Sequence, residues 1–243
     1  MVKFFEPHPT FGTKNKRKTA SYYETSPYYW WWKYLRMNAD YLRCCENNGK
    51  GKYAKLYADF GDVRDDEFRV WWTAKGVALF AEQRSSYSFK EIDNKDEVPD
   101  DWDKGEFIYL QVPLTYDKKS LKKYFNQLLM ARHSRKKGRP TKSNRKSTAK
   151  YQLNGTYTIA NLRLCLQVYE KYMTSRSGSI KLKLWEIGEQ MNLLEDDKMT
   201  NPKGEDYADR VIKRNYLAST VSRYVKQAKL RIDKVALGEF PVV

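Results

Sequence analysis

Positive side chains dominate one short part of this sequence. Nine lysine or arginine residues and no acid lie between positions 132 and 150. They are Arg132, Arg135, Lys136, Lys137, Arg139, Lys142, Arg145, Lys146 and Lys150. Such side chains neutralise phosphate groups and release counterions, and neighbouring serine, threonine and asparagine side chains can also bind phosphate oxygens. The run therefore predicts contact with a polyanion, and we expect double-stranded DNA.

The run also contains Gly138 and Pro140, which disfavour a continuous helix. We therefore predict a mobile arm that follows the phosphate backbone or enters the minor groove. The alternative is a solvated loop without a ligand, because runs of charge are common on protein surfaces. Binding to a membrane surface is less favoured, since no apolar face or lipidation signal adjoins the run.

A second set of candidate DNA contacts lies near the C-terminus, in YLASTVSRYVKQAKLRI. Its apolar spacing predicts a helix. The candidate contacts are Ser219, Thr220, Ser222, Arg223, Lys226 and Lys229, which we expect to face outward or to lie at the helix start. Hydroxyl groups and cations near a helix N-terminus suit recognition in the major groove.

The preceding segment, LWEIGEQMNLL, has the pattern of the first helix of a helix-turn-helix. Gly188 lies where a second helix would pack closely. However, about twenty residues separate the two predicted helices, whereas the usual turn has three or four. Either a short extra helix in EDYADRVIKRN lies between them, or the unit is not a helix-turn-helix.

The aromatic segment PYYWWWKYLRMNADY allows three interpretations. Its rings could stack on the bases of a single strand or form a protein-binding face. We favour a third interpretation, a buried core, because the aromatic residues are spread around all faces of the predicted helix.

An acidic set offers the main alternative chemistry: Asp59, Asp62, Asp65, Asp66 and Glu67. Converging carboxylates could bind Mg²⁺ in a nuclease. The favoured explanation is that these acids are solvated and lie at the start of a helix, because acids are stabilised at helix N-termini. No phosphate-binding glycine loop and no Ser/His/Asp or Cys/His arrangement is recognisable. We therefore predict no enzyme activity, no cofactor and no metal.

The composition supports a DNA-associated protein that remains in the cytoplasm. The formal net charge is +16, of which the run at 132–150 supplies nine. A concentrated positive field attracts nucleic acid first and an anionic membrane second. No stretch is long and apolar enough to span a membrane, and the start MVKFFEPHPTFG has no secretion signal. Three cysteines and two distant histidines indicate neither a disulfide framework nor a zinc site.

The predicted fold is mainly α with a small β component and a C-terminal unit like a helix-turn-helix. Residues 1–25 form a basic irregular arm that includes Lys14, Lys16, Arg17 and Lys18. Residues 26–115 form an aromatic-rich helical domain for packing or oligomerisation. Residues 116–243 form the helical DNA-binding domain with the basic loop 132–150.

Individual elements follow from capping and periodicity. Ser26 and Pro27 predict the start of a helix that runs to Gly49. Further helices are expected in DDEFRVWWTAKGVALFAE, DKKSLKKYFNQLLMARH and TIANLRLCLQVYEKYM. Strands are expected in KYAKLYADFGDV and, with the better pattern, in EFIYLQVPL. The acidic residues 91–106 predict a solvated loop.

Three segments resemble proteins of bacterial mobile elements. The segment from Trp32 to Tyr41 fits the pattern W-x-[FY]-L-R-x-N-x-x-Y. That pattern resembles helices of uncharacterised, transcriptional-regulator-like proteins of plasmids, integrative elements and phages. The pieces STAKY and SRYVKQAKLRIDKVALGEFP are similar to parts of such proteins. The resemblance implies a DNA-associated role in a bacterial host and assigns no catalytic residue.

The sequence thus predicts a non-enzymatic DNA-binding protein that regulates transcription or replication of a phage or mobile element. A homodimer is plausible for a regulator that binds two half-sites. The rival is an anti-defence protein that binds a host protein or a nucleoprotein complex. A metal-dependent nuclease that uses Asp59 and Asp62 is less favoured.

Overall fold

The computed structural model describes most of the chain and is mainly helical, as predicted. The described residues are 2–13, 15–83, 92, 94–98, 108–132, 147–178, 181–194 and 207–242. In this part of the chain, β pairing is limited to three isolated bridges: Phe4 with Ala81, Gly12 with Arg17, and Leu153 with Phe240. The predicted strand EFIYLQVPL is not formed over its described residues, 108–114. A strand needs hydrogen bonds from a neighbour, and no described segment pairs with this one.

Short helices make up the N-terminal part of the chain. They are α1 (Ala20–Tyr23), α2 (Pro27–Leu35), α3 (Ala39–Glu46) and α4 (Ala54–Phe60). The predicted helix start at Pro27 is confirmed, but the helix does not continue to Gly49. Asn38 adopts an extended backbone and its side chain accepts a hydrogen bond from the Tyr41 amide, so a new helix begins after it.

Helix α4 replaces the strand and turn predicted for KYAKLYADFGDV. Leu56 and Phe60 lie four residues apart, so a helix places both on one face, and both are buried. Gly61 then ends the helix with a φ of 66°, in the region that favours glycine. The strand prediction was wrong because burial of this helical face outweighs the strand tendency of the aromatic residues.

The next segment is helical, as predicted. Helix α5 (Phe68–Trp71) continues through a π-helical turn (Trp72–Gly76) into α6 (Val77–Phe80). Gly76 leaves room for a ring, because a Cβ atom there would lie 2.4 Å from Cε3 of Trp72. The Trp71 indole donates a hydrogen bond of 2.8 Å to the Phe60 carbonyl oxygen. This segment is thereby fixed against α4.

The aromatic segment of α2 and α3 is core, which confirms the favoured interpretation. Trp31, Tyr34 and Tyr41 are fully buried. The Trp31 ring lies 5.0 Å from that of Phe80 and 5.5 Å from that of Phe240. One core therefore contains residues from both ends of the chain.

The chain divides into two compact units, one formed by residues 1–83 with 147–243 and the other by residues 84–146. This division differs from the predicted boundary at 115/116, because the N-terminal and C-terminal segments share the aromatic core. The predicted arm at 1–25 also contributes Phe4, Phe11 and Tyr23, which pack against that core. In the unit 84–146, the predicted helix is confirmed as α7 (Lys118–Arg132).

Three helices form a second core near the C-terminus. They are α8 (Ile159–Ser177), α9 (Leu184–Gln190) and α10 (Tyr207–Val235). Their buried contacts are made by Val168, Ile187, Val221 and Val225. Residues 207–215, for which the sequence left a separate short helix open, belong to the 29-residue α10. None of the helices in the described ranges is long and apolar enough to cross a membrane.

The close approach predicted at Gly188 is confirmed, because a Cβ atom there would lie 2.9 Å from Cδ2 of Leu217 on α10. We expect Gly188→Val to lower the free energy of unfolding by about 1–3 kcal/mol, because the added side chain overpacks the α9–α10 contact. Urea unfolding followed by circular dichroism measures this. The control Glu189→Val, at the exposed neighbouring position, should cost only about 0.5 kcal/mol. Equal losses in both variants would contradict the packing explanation.

Candidate nucleic-acid interface

The basic run is described only at its two ends. Arg132 is exposed at the last position of α7, and Lys150 is exposed in the segment that follows the run. The remaining predicted contacts lie outside the described residues: Arg135, Lys136, Lys137, Arg139, Lys142, Arg145 and Lys146. From Lys118 to Lys146 the sequence holds twelve lysine or arginine residues and no acid. The acid-free region therefore begins with α7 and is longer than the run at 132–150.

Lys150 has a local partner. Its Nζ atom lies 2.6 Å from a carboxylate oxygen of Asp59, and the Tyr151 hydroxyl donates a hydrogen bond of 2.7 Å to the other oxygen. Asp59 is 91 residues away in the sequence, so sequence patterns could not reveal this pair. The charge of Lys150 is compensated within the fold, which makes it a weaker candidate for phosphate contact than the unpaired cations of α10.

Residues 147–151, around Lys150, form hydrogen bonds with residues 79–83, which precede residues 84–146 in the chain. The Ser147 hydroxyl donates to the Glu82 carboxylate, and the Thr148 hydroxyl is within 3.1 Å of the Gln83 carbonyl oxygen. The Tyr151 amide donates to the Leu79 carbonyl oxygen at 3.1 Å. Residues 84–146 are therefore an insertion whose two ends meet on the larger unit.

Helix α10 exposes most of the predicted groove contacts. Ser219, Arg223, Lys226 and Lys229 are exposed and Ser222 is half-buried. Thr220 is only 7% exposed and faces the core, so the prediction that it faces outward is wrong. Helical periodicity places Thr220 beside Leu217 and Val221, which are fully buried.

The predicted position of these residues at the helix start is also wrong, because α10 begins at Tyr207. Its first turns carry exposed residues that the sequence prediction missed: Tyr207, Arg210, Ile212, Arg214, Asn215 and Tyr216. A signal for the longer helix was present, because no glycine or proline interrupts the sequence from Tyr207 to Val235.

Most of helix α10 carries positive charge and no negative charge. Between Arg210 and Ile232 the helix carries seven lysine or arginine residues and no acid. Within the described chain, Arg223, Lys226 and Lys229 have no carboxylate partner, whereas Arg36, Arg64 and Arg163 form ion pairs. Three cations on one solvent face thus remain available to an external anion.

Aromatic rings orient several of these cations. Arg214 lies 4.3 Å from the ring centroid of Trp185, and Arg223 lies 5.5 Å from that of Tyr224. The Tyr172 ring of α8 has Arg176 at 5.1 Å and Lys229 at 5.9 Å. Cation–π contacts of this kind restrict a side chain without cancelling its charge. Arg176 on α8 thereby joins the basic face of α10.

The geometry of this basic face invites a comparison with proteins of known function. No protein-family model, curated protein or solved structure matches this chain. The elements of the site are an exposed helical face with unpaired cations, aromatic rings beside these cations and small hydroxyl side chains, which together suit phosphate and base-edge contacts.

The acidic set has structural partners. The Asp62 carboxylate accepts hydrogen bonds from the Arg64 guanidinium, which holds the pKa of Asp62 below its usual value. The Asp66 carboxylate lies 2.5 Å from Arg36, whose hydrogen bond lowers the pKa of Asp66. Asp65 accepts a hydrogen bond from the Glu67 amide at the start of α5. Among the residues that the structure describes, no group of three His, Cys, Asp or Glu is arranged to hold a metal.

The contact of Asp59 with Lys150 and Tyr151 can be tested through its effect on stability. Partial burial raises the pKa of Asp59, but the hydrogen bonds from Lys150 and Tyr151 outweigh this, so the pKa lies below the ordinary 3.8. A lowered pKa means that ionised Asp59 stabilises the fold above the unfolded pKa, and that this stabilisation disappears as the pH falls through the folded pKa. We expect Asp59→Asn to cost about 1 kcal/mol at neutral pH.

The loss should shrink as the pH falls below the unfolded pKa of Asp59, because the wild-type carboxylate then becomes protonated too. Urea unfolding at a series of pH values measures it. The control Asp233→Asn, at an exposed position of α10, should change the free energy of unfolding little at any of them. A loss in Asp59→Asn that is independent of pH would contradict the ion-pair explanation.

Proposed function

We propose that the protein is a non-enzymatic, double-stranded DNA-binding protein of a phage or mobile element. The basic segment that begins with α7 would grip phosphates, and the solvent face of α10 would enter a groove. One observation carries the proposal: Arg223, Lys226 and Lys229 lie on one exposed face of α10 and have no carboxylate partner within the part of the chain that the structure describes.

The dimensions of α10 fit the proposal. An α-helix with its side chains is about 10–12 Å across, which matches the width of the DNA major groove. Three or four residues complete one turn, so Ser219, Arg223 and Lys226 point the same way along the helix. From Ser219 to Lys229 the helix rises about 15 Å. One face therefore presents side chains over roughly three turns.

The side-chain types on this face are those that read base edges. Arginine can donate two hydrogen bonds to guanine, and asparagine can bond adenine in the same bidentate way. Arg223 and Asn215 are exposed on α10 and could take these roles. The Ser219 hydroxyl donates to the Tyr216 carbonyl oxygen at 2.8 Å. Its oxygen can still accept a hydrogen bond, so Ser219 suits a donor group on a base edge, such as an exocyclic amino group.

Helices α9 and α10 would correspond to the two helices of a helix-turn-helix. The contact of Gly188 with Leu217 supports this pairing. The connection from Met191 to α10 is longer than the usual turn of three or four residues. The proposed contacts also lie along the side of α10 rather than at its start. The correspondence is therefore one of helix packing, and the groove contact would be lateral.

A regulatory role in a bacterial cytoplasm completes the proposal. The segment from Trp32 to Tyr41 resembles regulator-like proteins of mobile elements, and its core position is consistent with a packing role. Control of transcription or replication, with a homodimer on two half-sites, follows from that resemblance. Selection of bound fragments from a random duplex library at near-physiological salt tests the role. Enrichment of a defined sequence supports a regulator, and recovery without enrichment contradicts sequence-specific regulation.

The face of α10 can be tested by removing its three unpaired cations. We expect Arg223→Gln, Lys226→Gln and Lys229→Gln together to weaken duplex binding at least about tenfold at physiological salt. The magnitude of the slope of log K against log salt should fall by about 2–3, at roughly 0.9 per lost phosphate contact. Fluorescence anisotropy with a labelled duplex measures both quantities.

The matched control removes three exposed lysines elsewhere on the same unit, as Lys50→Gln, Lys52→Gln and Lys55→Gln. The change in net charge is the same, so any difference between the two triple variants reports position rather than total charge. Equal weakening in both would contradict a specific role of α10. Cleavage of the duplex in the presence of Mg²⁺, abolished by Asp62→Ala, would overturn the non-enzymatic assignment.

The basic segment should act differently from α10. We expect Arg135→Ala, Lys136→Ala, Lys137→Ala and Arg139→Ala together to weaken binding by a similar factor for every duplex sequence, because phosphate contacts carry no direct sequence information. Competition between a selected duplex and a scrambled duplex measures this. The ratio of the two affinities should stay constant in this variant and fall in the α10 variant. Unchanged affinity for both duplexes would contradict the predicted arm.

A further inference from the structure

A tight basic turn lies near the N-terminus, within the predicted basic arm and far in sequence from the basic run and from α10. The backbone folds back between Phe11 and Lys18, with the Lys18 amide donating to the Phe11 carbonyl oxygen at 2.9 Å. Inside this loop, Thr13 and Lys16 exchange two backbone hydrogen bonds of 3.1 and 3.2 Å. Gly12 has a φ of 77°, and a Cβ atom there would lie 2.1 Å from the Lys16 carbonyl oxygen. These bonds define the backbone geometry of the described residues 11–13 and 15–18. We call these residues the N-terminal turn.

The N-terminal turn is anchored to the aromatic core. The Phe11 ring packs against those of Tyr23 and Phe68, at 5.5 and 5.9 Å. The guanidinium of Arg69 lies 6.0 Å from the centroid of the Phe11 ring. Contacts with the core hold the base of the turn, so the exposed residues above it are presented at a fixed place on the larger unit.

Charge accumulates on this anchored turn. Lys16, Arg17 and Lys18 are consecutive and exposed, and Arg69 is exposed beside Phe11. In the described chain none of the four forms an ion pair, whereas Arg36, Arg43 and Arg163 each have a carboxylate within reach. The Lys18 ammonium instead donates to the Thr10 hydroxyl at 3.2 Å and lies over the Tyr22 ring.

Adjacent like charges on a rigid turn repel one another and destabilise the free protein. A bound polyanion relieves that repulsion and gains the free energy of counterion release. The Lys16 backbone amide already donates to the Thr13 hydroxyl at 3.2 Å, so that amide is occupied and the cationic side chains are the main groups that would contact a ligand. No apolar side chain is exposed between Phe11 and Lys18, which disfavours insertion into a membrane.

We propose that the N-terminal turn, with Arg69, is a second phosphate-binding surface for the DNA backbone. This inference rests on the proposed DNA-binding function and adds a contact in the N-terminal part of the chain. Three consecutive cations on an anchored turn can each approach a phosphate oxygen of a passing strand. The surface would supply affinity and fix the path of the DNA, but it would not read sequence.

The test removes the three consecutive charges as Lys16→Gln, Arg17→Gln and Lys18→Gln in the full chain. We expect the magnitude of the salt slope for a labelled random-sequence duplex to fall by about 2–3 and the affinity to fall at least about tenfold. The control Lys50→Gln, Lys52→Gln and Lys55→Gln has the same net charge and should keep both values near those of the wild type. The charge-preserving variant Lys16→Arg and Lys18→Arg should bind as the wild type does.

The urea midpoint of the glutamine variant shows whether Lys16, Arg17 and Lys18 bind a ligand or support the fold. Relief of repulsion should leave the urea midpoint of the glutamine variant unchanged or raise it, whereas loss of a structural contact would lower it. A lowered midpoint with wild-type binding would overturn the inference. The inference would also be overturned if the wild type binds DNA but the Lys16/Arg17/Lys18 glutamine variant has the same salt slope as the Lys50/Lys52/Lys55 control. If the wild-type chain binds no duplex at all, the proposed function itself fails, and that outcome is separate from the other two.

Discussion

The packing of Phe240 against Trp31 and Tyr34 joins the two ends of the chain into one core. The centroid of the Phe240 ring lies 5.5 Å from that of Trp31 and 5.3 Å from that of Tyr34. The same region contains two buried polar contacts between distant segments. The Tyr34 hydroxyl donates to the Leu162 carbonyl oxygen, and the Asn38 side chain donates to the Ile232 carbonyl oxygen, each at 2.9 Å. Because these bonds hold α8 and α10 against α2, the aromatic core sets which face of α10 remains outside.

The distribution of charge follows from this arrangement. Cations whose positions bring them beside a carboxylate are compensated, as Lys150 is by Asp59 and Arg163 by Glu24. Helix α10 carries no acid between Arg210 and Ile232, and the neighbouring rings of Tyr172 and Tyr224 orient its cations without neutralising them. Nine of the lysine and arginine residues behind the net charge of +16 are also concentrated in one stretch of the sequence, 132–150. Such concentration is what electrostatic attraction of a polyanion requires.

Sequence patterns predicted the long amphipathic helices and the close contact at Gly188, because helical periodicity and small residues at crossings are local properties. They did not predict α4, since the burial of Leu56 and Phe60 depends on a core assembled from distant segments. The inward position of Thr220 was missed because its hydroxyl group favoured an outward position, although helical periodicity places it beside the apolar Leu217 and Val221. The pairing of Lys150 with Asp59 joins residues 91 positions apart and has no local signal. The basic run at 135–146 stays a prediction from sequence.

If the protein binds DNA as proposed, base-edge contacts would determine specificity and phosphate contacts would determine affinity. A side chain that reads a base edge must hold its direction, and α10 provides this because α8, α9 and the aromatic core fix it. A phosphate contact tolerates more variation, because it depends mainly on charge and distance. Specificity would then belong to residues whose backbone the hydrophobic core positions, such as Arg223 and Asn215. Affinity would belong chiefly to the acid-free segment that begins at Lys118. That segment lies in the unit 84–146, whereas the core that orients α10 belongs to the other unit.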